Sequence, residues 1–237
     1  LRILTRKYQF HFVGDSTTRR LAASFEAIYT GKPPVHTLSH QRVPHYVEQL
    51  TATFKWKPLC PNISAEIVDV LEALQTRVNT KQLVFITSYG VHEITDVSDY
   101  QRSTPLPAFS PTCNSGIRNE RAMSEAALER CMNVTKALIH LAQGVDLATP
   151  PIVLVMEGNP FRADDIRKDW MQELHQKRLE IFRRAAGSSR DLIVPYMLED
   201  TAGIFDRLEC KRKDSIHFYE PVKLIQAQLV WYAMNMI

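Results

Sequence analysis

A Gly-Asp-Ser triplet at residues 14–16 places a hydroxyl where nucleophilic chemistry is favoured. Residues 8–13 alternate in polarity as a β-strand does, the strand pattern ends at Gly14, and a helical pattern follows Ser16. A serine at such a strand-to-helix turn lies at the positive end of the helix dipole, which stabilises a developing oxyanion. The alternative is that Ser16 caps the N-terminus of the helix with assistance from Asp15.

A second pair of reactive residues, Asp214 and His217, precedes the last predicted helix. A serine hydroxyl becomes a good nucleophile only when a base removes its proton and a third group orients that base. Residues three apart lie on one side of a turn, so the same turn can present the His217 imidazole to Ser16 and hold Asp214 behind it. Taken alone, the pair is also typical of an ordinary surface turn. Combined with Ser16, it predicts a Ser-His-Asp triad.

Strands and helices alternate along the chain between these groups. Strands are predicted at 8–13, 82–87, 151–156 and 191–197, with a further one near 53–57; helices are predicted at 65–78, 120–143, 164–186 and 221–235. This alternation indicates right-handed crossovers and a parallel sheet covered on both faces. We therefore predict one domain over residues 1–237 with a three-layer α/β/α architecture, in which ligands bind at the carboxyl ends of the strands.

The order of these motifs resembles that of the SGNH (GDSL-like) hydrolase superfamily, whose nucleophile follows the first strand and whose Asp-x-x-His precedes the last helix. The run from Gly14 to Arg19, Gly-Asp-Ser-x-x-Arg, further resembles the opening motif of the PC-esterase branch, which contains glycan O-acetyltransferases and neurexophilin-like PC-esterase proteins. The resemblance implies a mainly parallel, flavodoxin-like sheet and a covalent acyl-serine intermediate. It also implies that Ser16 is the nucleophile, His217 the general base and then acid, and Asp214 its orienting group.

The oxyanion donors are less well defined by the sequence. The superfamily has Gly-x-Asn-Asp after a later strand, and here Gly90-Val91-His92 looks like the PC-esterase variant. An imidazole can donate a hydrogen bond in place of the Asn amide, although His92 is equally suited to bonding a loop carbonyl. The separate oxyanion glycine of the superfamily is not identifiable.

Asp15, Arg19 and Asn159 are further candidates for binding the oxyanion or the substrate. Arg19 can orient Asp15 or contact an acyl or sugar oxygen, and the alternative is an ordinary charge on the helix surface. Asn159 follows the strand at 151–156 and can line the cleft, although Asn-Pro is also a turn signal. Trp56 lies in an apolar pattern typical of the core or of shallow surface, and a sugar-stacking role for it lacks support from the sequence.

Potential glycosylation sites and cysteines indicate the cellular compartment in which the protein folds. Asn62-Ile63-Ser64 and Asn133-Val134-Thr135 are potential N-glycosylation sites, and Asn133 is predicted to point away from the apolar face of its helix. The four cysteines are an even number, which permits disulfides of undetermined pairing; the alternative is reduced, buried thiols: Cys60, Cys113, Cys131 and Cys210. We favour the secretory pathway, in the Golgi lumen or outside the cell.

Composition excludes several classes of protein. Of the 237 residues, 45% are hydrophobic and 23% are charged, which is typical of a globular domain and not of a disordered chain. The net charge of +3 is too small to indicate a nucleic-acid partner. No apolar run approaches the ~18 residues of a membrane span, so membrane attachment is expected only through segments absent from this chain. Because it opens at Leu1, we expect a domain excised from a longer protein.

The resemblance implies transfer of an O-acyl group, most simply acetyl, to carbohydrate hydroxyls. The acyl donor would be a co-substrate, such as acetyl-CoA or an acetylated carrier, and the acceptor a carbohydrate or glycoconjugate. No tightly bound cofactor and no metal are expected. The alternatives are an acetylesterase or lipase-like hydrolase of the same fold, and a non-catalytic glycan-binding or interaction module.

Overall fold

The structure is a computed structural model that describes the parts of the chain forming the central sheet and its flanking helices. The described residues are 7–32, 52–56, 70, 72, 73, 81–88, 120–144, 151–155, 173, 174, 176, 177, 180 and 220–235. The strands are β1 (Tyr8–Gly14), β2 (Ala52–Trp56), β3 (Gln82–Ser88) and β4 (Ile152–Val155). The helices are α1 (Ser16–Thr30), α2 (Glu120–Gly144) and α3 (Glu220–Asn235).

The four described strands form one parallel sheet in the order β2-β1-β3-β4. The chain therefore passes from β1 to β2 in one direction across the sheet and from β3 to β4 in the other. Because such crossovers are right-handed, these two connections place their helices on opposite faces. The point where the direction reverses lies between β1 and β3, and in open parallel sheets this is the point where ligands bind.

One face of the sheet forms an aromatic core beneath α1 and α3. Every second residue of β1 points into it, and the stacked rings of Phe25 from α1 and Trp231 from α3 have centroids 4.8 Å apart. Phe10 contacts both rings, at 5.6 Å from Phe25 and 5.2 Å from Trp231. The buried cluster comprises Tyr8, Phe10, Phe12, Leu21, Phe25, Phe54, Val84, Ile86, Ile152, Leu154, Ala227, Val230, Trp231 and Met234. This packing holds α1 against both the sheet and α3.

The opposite face carries the alternate residues of the same strands. Leu83, Phe85 and Val153 are buried there, and the His11 ring stacks on that of Phe85 with centroids 5.4 Å apart. α2 contacts β4 and buries a stripe of its own: Ala127, Leu128, Cys131, Val134 and Leu138. The described elements therefore form three layers, with the sheet between helices.

The predicted strands at 8–13, 53–57, 82–87 and 151–156 and the helices at 120–143 and 221–235 are confirmed within one or two residues of their ends. Residues 70, 72 and 73, and residues 173, 174, 176, 177 and 180, are helical, in agreement with the helices predicted around them. The predicted strand at 191–197 lies outside the described residues. Among the described helices, none has the length and apolar character needed to cross a membrane.

Candidate active site

A single residue separates the first strand from the first helix. β1 ends at Gly14 and α1 begins at Ser16, so the chain reverses within the predicted Gly-Asp-Ser triplet. Gly14 has φ 153°, a value that side-chain-bearing residues rarely adopt. The glycine is therefore required by the backbone of the turn that presents Ser16.

Asp15 caps the N-terminus of α1. It has extended backbone angles, and its Oδ1 atom accepts hydrogen bonds from the Thr17 amide (2.8 Å), the Thr17 hydroxyl (2.5 Å) and the Thr18 amide (3.4 Å). The backbone carbonyl of Asp15 accepts the first helical hydrogen bond, from the Arg19 amide at 3.0 Å. The cap thus satisfies the amide groups that a helix N-terminus otherwise leaves unpaired.

The carboxylate of Asp15 is almost fully buried, with 1% of the residue exposed. Its Oδ2 atom has no hydrogen-bond partner among the described residues. Burial without a partner is costly for a carboxylate oxygen, so the three contacts at Oδ1 must hold the group in place. The predicted role of Asp15 in binding the oxyanion or substrate stays a prediction.

Ser16 is the first residue of α1 and is partly buried. The alternative in which Ser16 caps the helix is wrong, because Asp15 is the capping residue. Both residue types are good caps, and the position at which the helix begins decides between them. Its place one residue after the cap leaves Ser16 on the first turn of the helix, as expected for a nucleophile at a strand-to-helix turn.

The strands on either side of β1 end beside this turn. Gly14 is paired in register with Trp56, the last residue of β2, and with Ser88, the last residue of β3. Three carboxyl strand ends therefore meet where Ser16 begins α1. This edge includes the reversal point between β1 and β3, as the sequence-based prediction of a ligand site requires.

Arg19 lies one turn further along α1 and packs against the end of β2. Its guanidinium carbon is 5.3 Å from the centroid of the Trp56 ring, and both residues are partly buried. Burial and the neighbouring Arg20 charge lower the pKa of Arg19, while the Asp15 carboxylate raises it in part. The Arg19 guanidinium thus lies over an aromatic ring beside the turn that holds Ser16, and its predicted role in binding the oxyanion or the substrate stays a prediction.

Trp56 is partly buried at the end of a strand, as the sequence predicted, but its place beside Gly14 was not predicted. It is partly buried against the aromatic core, at the carboxyl end of the strand that the sequence predicted least clearly. Its position follows from the register between β2 and β1, which is a long-range property. One feature of the sequence could have predicted its place near Ser16: Trp56 ends a strand-like run. The carboxyl ends of parallel strands meet at the edge of the sheet where ligands bind.

The other predicted site residues lie outside the described residues: Gly90, His92, Asn159, Asp214 and His217. Each of these residues lies next in sequence to a described strand or helix of the predicted type. β3 ends at Ser88, before Gly90; β4 ends at Val155, before Asn159; and α3 begins at Glu220, after His217. A meeting of Ser16 with His217 and Asp214 thus stays a prediction.

The sequon and cysteine predictions are covered only in part by the described residues. Asn133 is exposed on α2, as predicted, while Leu128, Cys131 and Leu138 on the apolar face of that helix are buried. Asn62 and three of the cysteines, Cys60, Cys113 and Cys210, lie outside the described residues. Glycosylation and disulfide pairing stay predictions.

The elements described so far define a three-layer α/β/α domain that presents a serine at the end of its first strand. Neither a family model nor a curated protein matches this sequence. Solved structures do match it, and over nearly its whole length. An acetyl xylan esterase, AlAXEase, is similar over 95% of this chain and 98% of its own, with a TM-score of 0.54 and 14% identity.

Two further solved structures agree with that match. The C-terminal catalytic domain of peptidoglycan O-acetyltransferase A from Streptococcus pneumoniae matches 97% of this chain and 94% of its own, with a TM-score of 0.50 and 10% identity. A catalytic mutant of the acetylxylan esterase Axe2 from Geobacillus stearothermophilus matches 95% and 93%, with a TM-score of 0.52 and 9% identity. At these identities the likeness concerns the fold. It confirms the predicted three-layer α/β/α architecture, and the resemblance to the SGNH superfamily and its PC-esterase branch stays a prediction.

Proposed function

We propose that this protein is a serine-dependent enzyme that handles O-acyl esters of carbohydrates, most simply O-acetyl esters. The observation that carries the proposal is the position of Ser16 on the first turn of α1, where the ends of β1, β2 and β3 meet. The fold that contains this turn is shared along almost the whole chain with acetyl xylan esterases and an O-acetyltransferase domain.

The proposed reaction begins with attack of the Ser16 Oγ on the acyl carbonyl while His217 accepts the hydroxyl proton and Asp214 orients the imidazole. The C–O bond forms as the carbonyl becomes an oxyanion, which the Ser16 amide and His92 stabilise by hydrogen bonding. The oxyanion collapses, the bond to the leaving alcohol or thiol breaks, and His217 returns the proton to the leaving group. An acyl-serine remains on the enzyme.

The second half of the reaction repeats these steps with a different nucleophile. His217 deprotonates either a sugar hydroxyl or a water molecule, which attacks the acyl-serine and releases Ser16. Attack by a sugar gives a transferase, and attack by water gives an esterase. We favour transfer to a carbohydrate or glycoconjugate, from acetyl-CoA or an acetylated carrier, because the Gly14–Arg19 motif resembles that of the PC-esterase branch. The proposal places the enzyme in the Golgi lumen or outside the cell.

Labelling with a fluorophosphonate tests the nucleophile directly. The Ser16 oxygen should displace fluoride and leave a phosphonylated serine, which intact-mass and peptide analysis would locate. Ser16→Ala should abolish the label, whereas Ser24→Ala, the same change at a buried serine of the same helix, should retain it. A folded wild-type protein that takes no label would contradict the proposal and favour a glycan-binding module.

His217→Ala tests the proposed base. Turnover of p-nitrophenyl acetate should fall by at least ~10³-fold, since removal of a triad member costs that much or more. The melting temperature should stay close to that of the wild type. A His217→Ala protein with full activity would exclude this residue as the base, without affecting the assignment of Ser16 as the labelled residue.

A further inference from the structure

Hydrogen bonds from Thr17 join it to Asp15 across the proposed nucleophile. The Thr17 amide and the Thr17 hydroxyl both donate to the Oδ1 atom of Asp15, at 2.8 and 2.5 Å. Ser16 lies between these two residues, so each hydrogen bond closes a ring of covalent bonds that runs through the Ser16 backbone. Both soft backbone dihedrals of Ser16 lie inside these rings. A change in either dihedral therefore has to stretch or break the hydrogen bonds.

These hydrogen bonds are shielded from water. Asp15 is 1% exposed and Thr17 is 8% exposed. Water therefore competes little for the carboxylate oxygen, and a hydrogen bond to a charged group is stronger in such surroundings than on an open surface. The end of a helix ordinarily frays, because its first amides lack partners within the helix. The two bonds from Thr17 hold the first turn of α1 closed at Ser16.

We propose that Thr17 is a positioning residue for the nucleophile: its hydroxyl holds the Asp15 carboxylate and thereby fixes the direction of the Ser16 Cα–Cβ bond. The inference rests on the proposed function, because it concerns where the Ser16 hydroxyl points. The amide bond belongs to the backbone, whereas the hydroxyl bond depends on the side chain at residue 17. A carboxylate held by amides alone has more rotational freedom, and a displacement of ~1 Å at a reacting group can slow a reaction ~10²-fold.

Thr18 provides a matched control on the same turn. Its amide also donates to Oδ1 of Asp15, at 3.4 Å, and the residue is 1% exposed. Its hydroxyl has no hydrogen-bond partner among the described residues. Valine has nearly the shape of threonine and lacks the hydroxyl. Thr17→Val and Thr18→Val therefore differ chiefly in whether a hydrogen bond to Asp15 is lost.

Turnover of p-nitrophenyl acetate compares these variants. Thr17→Val should lower kcat by at least ~5-fold and leave KM within about twofold of the wild type, because the loss lies in the direction of the nucleophile and not in substrate binding. Thr17→Ser keeps the hydroxyl and should retain at least about half of the wild-type kcat. Thr18→Val should change kcat by less than about twofold. Melting temperatures show whether each variant is folded.

Amide hydrogen exchange measures the same hydrogen bonds without any reaction. After correction for the intrinsic rate of each residue type, the amide of residue 17 should exchange at least ~5-fold faster in Thr17→Val than in the wild type, because local opening then breaks one hydrogen bond fewer. The same amide should exchange within about twofold of the wild-type rate in Thr18→Val. Thr17→Ser should stay close to the wild type.

Equal kcat values for Thr17→Val and Thr18→Val would overturn the inference, as would a Thr17→Ser protein that is as impaired as Thr17→Val. If Thr17→Val fails to fold, Thr17→Ala takes its place in both measurements, with the same outcomes. No fluorophosphonate label on wild-type Ser16 would overturn the proposed function, and with it the role of Thr17 in the reaction. A labelled Ser16 with unchanged exchange and turnover in Thr17→Val would support the enzyme and overturn the role of Thr17.

Discussion

At the scale of single residues, the turn that presents Ser16 depends on two neighbours with different tasks. Gly14 provides a backbone conformation that other residues rarely adopt, and Asp15 supplies the helix cap. Oδ1 of Asp15 takes all the capping hydrogen bonds, so a buried carboxylate is held by one of its two oxygens. The position of Ser16 on the first turn of α1 therefore depends on the backbone of Gly14 and on the Asp15 cap.

Substitution of Asp15 should reveal this task as a loss of stability. Asp15→Ala leaves the Thr17 and Thr18 amides without their acceptor in a buried place, and should lower the free energy of unfolding by about 1–3 kcal/mol. Asp15→Asn retains an oxygen acceptor at the same point and should stay within about 1 kcal/mol of the wild type. Urea unfolding measures both. An alanine variant as stable as the asparagine variant would show that the cap contributes little.

At the scale of secondary structure, the orientation of α1 is set by the aromatic core beneath it. Phe25 lies on the buried side of α1 and meets Phe12 at 5.2 Å and Trp231 of α3 at 4.8 Å, measured between ring centroids. The helix that begins at Ser16 is thus fixed at its first turn by the cap and further along by the contact with α3. A serine on a strand-to-helix turn needs both to stay in one place.

Phe25→Ala should be strongly destabilising because the ring is fully buried, with 0% of the residue exposed. Removal of a buried phenylalanine side chain typically costs about 3–5 kcal/mol through lost burial and the cavity that remains. Tyr232→Ala removes an aromatic ring that is 57% exposed on α3, and should change stability by less than about 0.5 kcal/mol. Guanidinium unfolding compares the two. If the alanine variant of Phe25 does not fold, Phe25→Leu should show a smaller loss of the same sign.

The elements that the sequence predicted well are those with a strong local signal. β1 and α2 have clear strand and helix periods, and both were predicted to within a residue. The sequence left open whether Ser16 caps the helix with assistance from Asp15, because both residue types are good caps and the boundary of the helix decides. The place of Trp56 beside Gly14 depends on strand register, which is a pairing between distant segments. Sequence periodicity carries no information about that pairing.

At the scale of the whole molecule, the surface of α2 carries the potential glycosylation site Asn133, which is one basis for predicting that the protein passes through the secretory pathway. Among the residues of this helix whose side chains the structure describes, the exposed ones form a stripe opposite the buried face: Glu129, Asn133, Lys136 and His140. Their spacing places them on one side of the helix. The acceptor Asn133 therefore lies at the centre of a solvated polar surface, where a glycan would extend into water without displacing core residues.

Expression of the chain behind a secretion signal in a eukaryotic cell tests this expectation. The secreted protein should lose mass on treatment with peptide-N-glycosidase, and Asn133→Gln should remove one increment of that loss while leaving the melting temperature nearly unchanged. A matched Asn62→Gln variant isolates the contribution of the second sequon. Since α2 packs against β4 through its other side, a glycan at Asn133 should not alter labelling of Ser16. Folded, secreted protein with no glycan at Asn133 would contradict the expectation, and would remove one of the two sequence features that favour the secretory pathway.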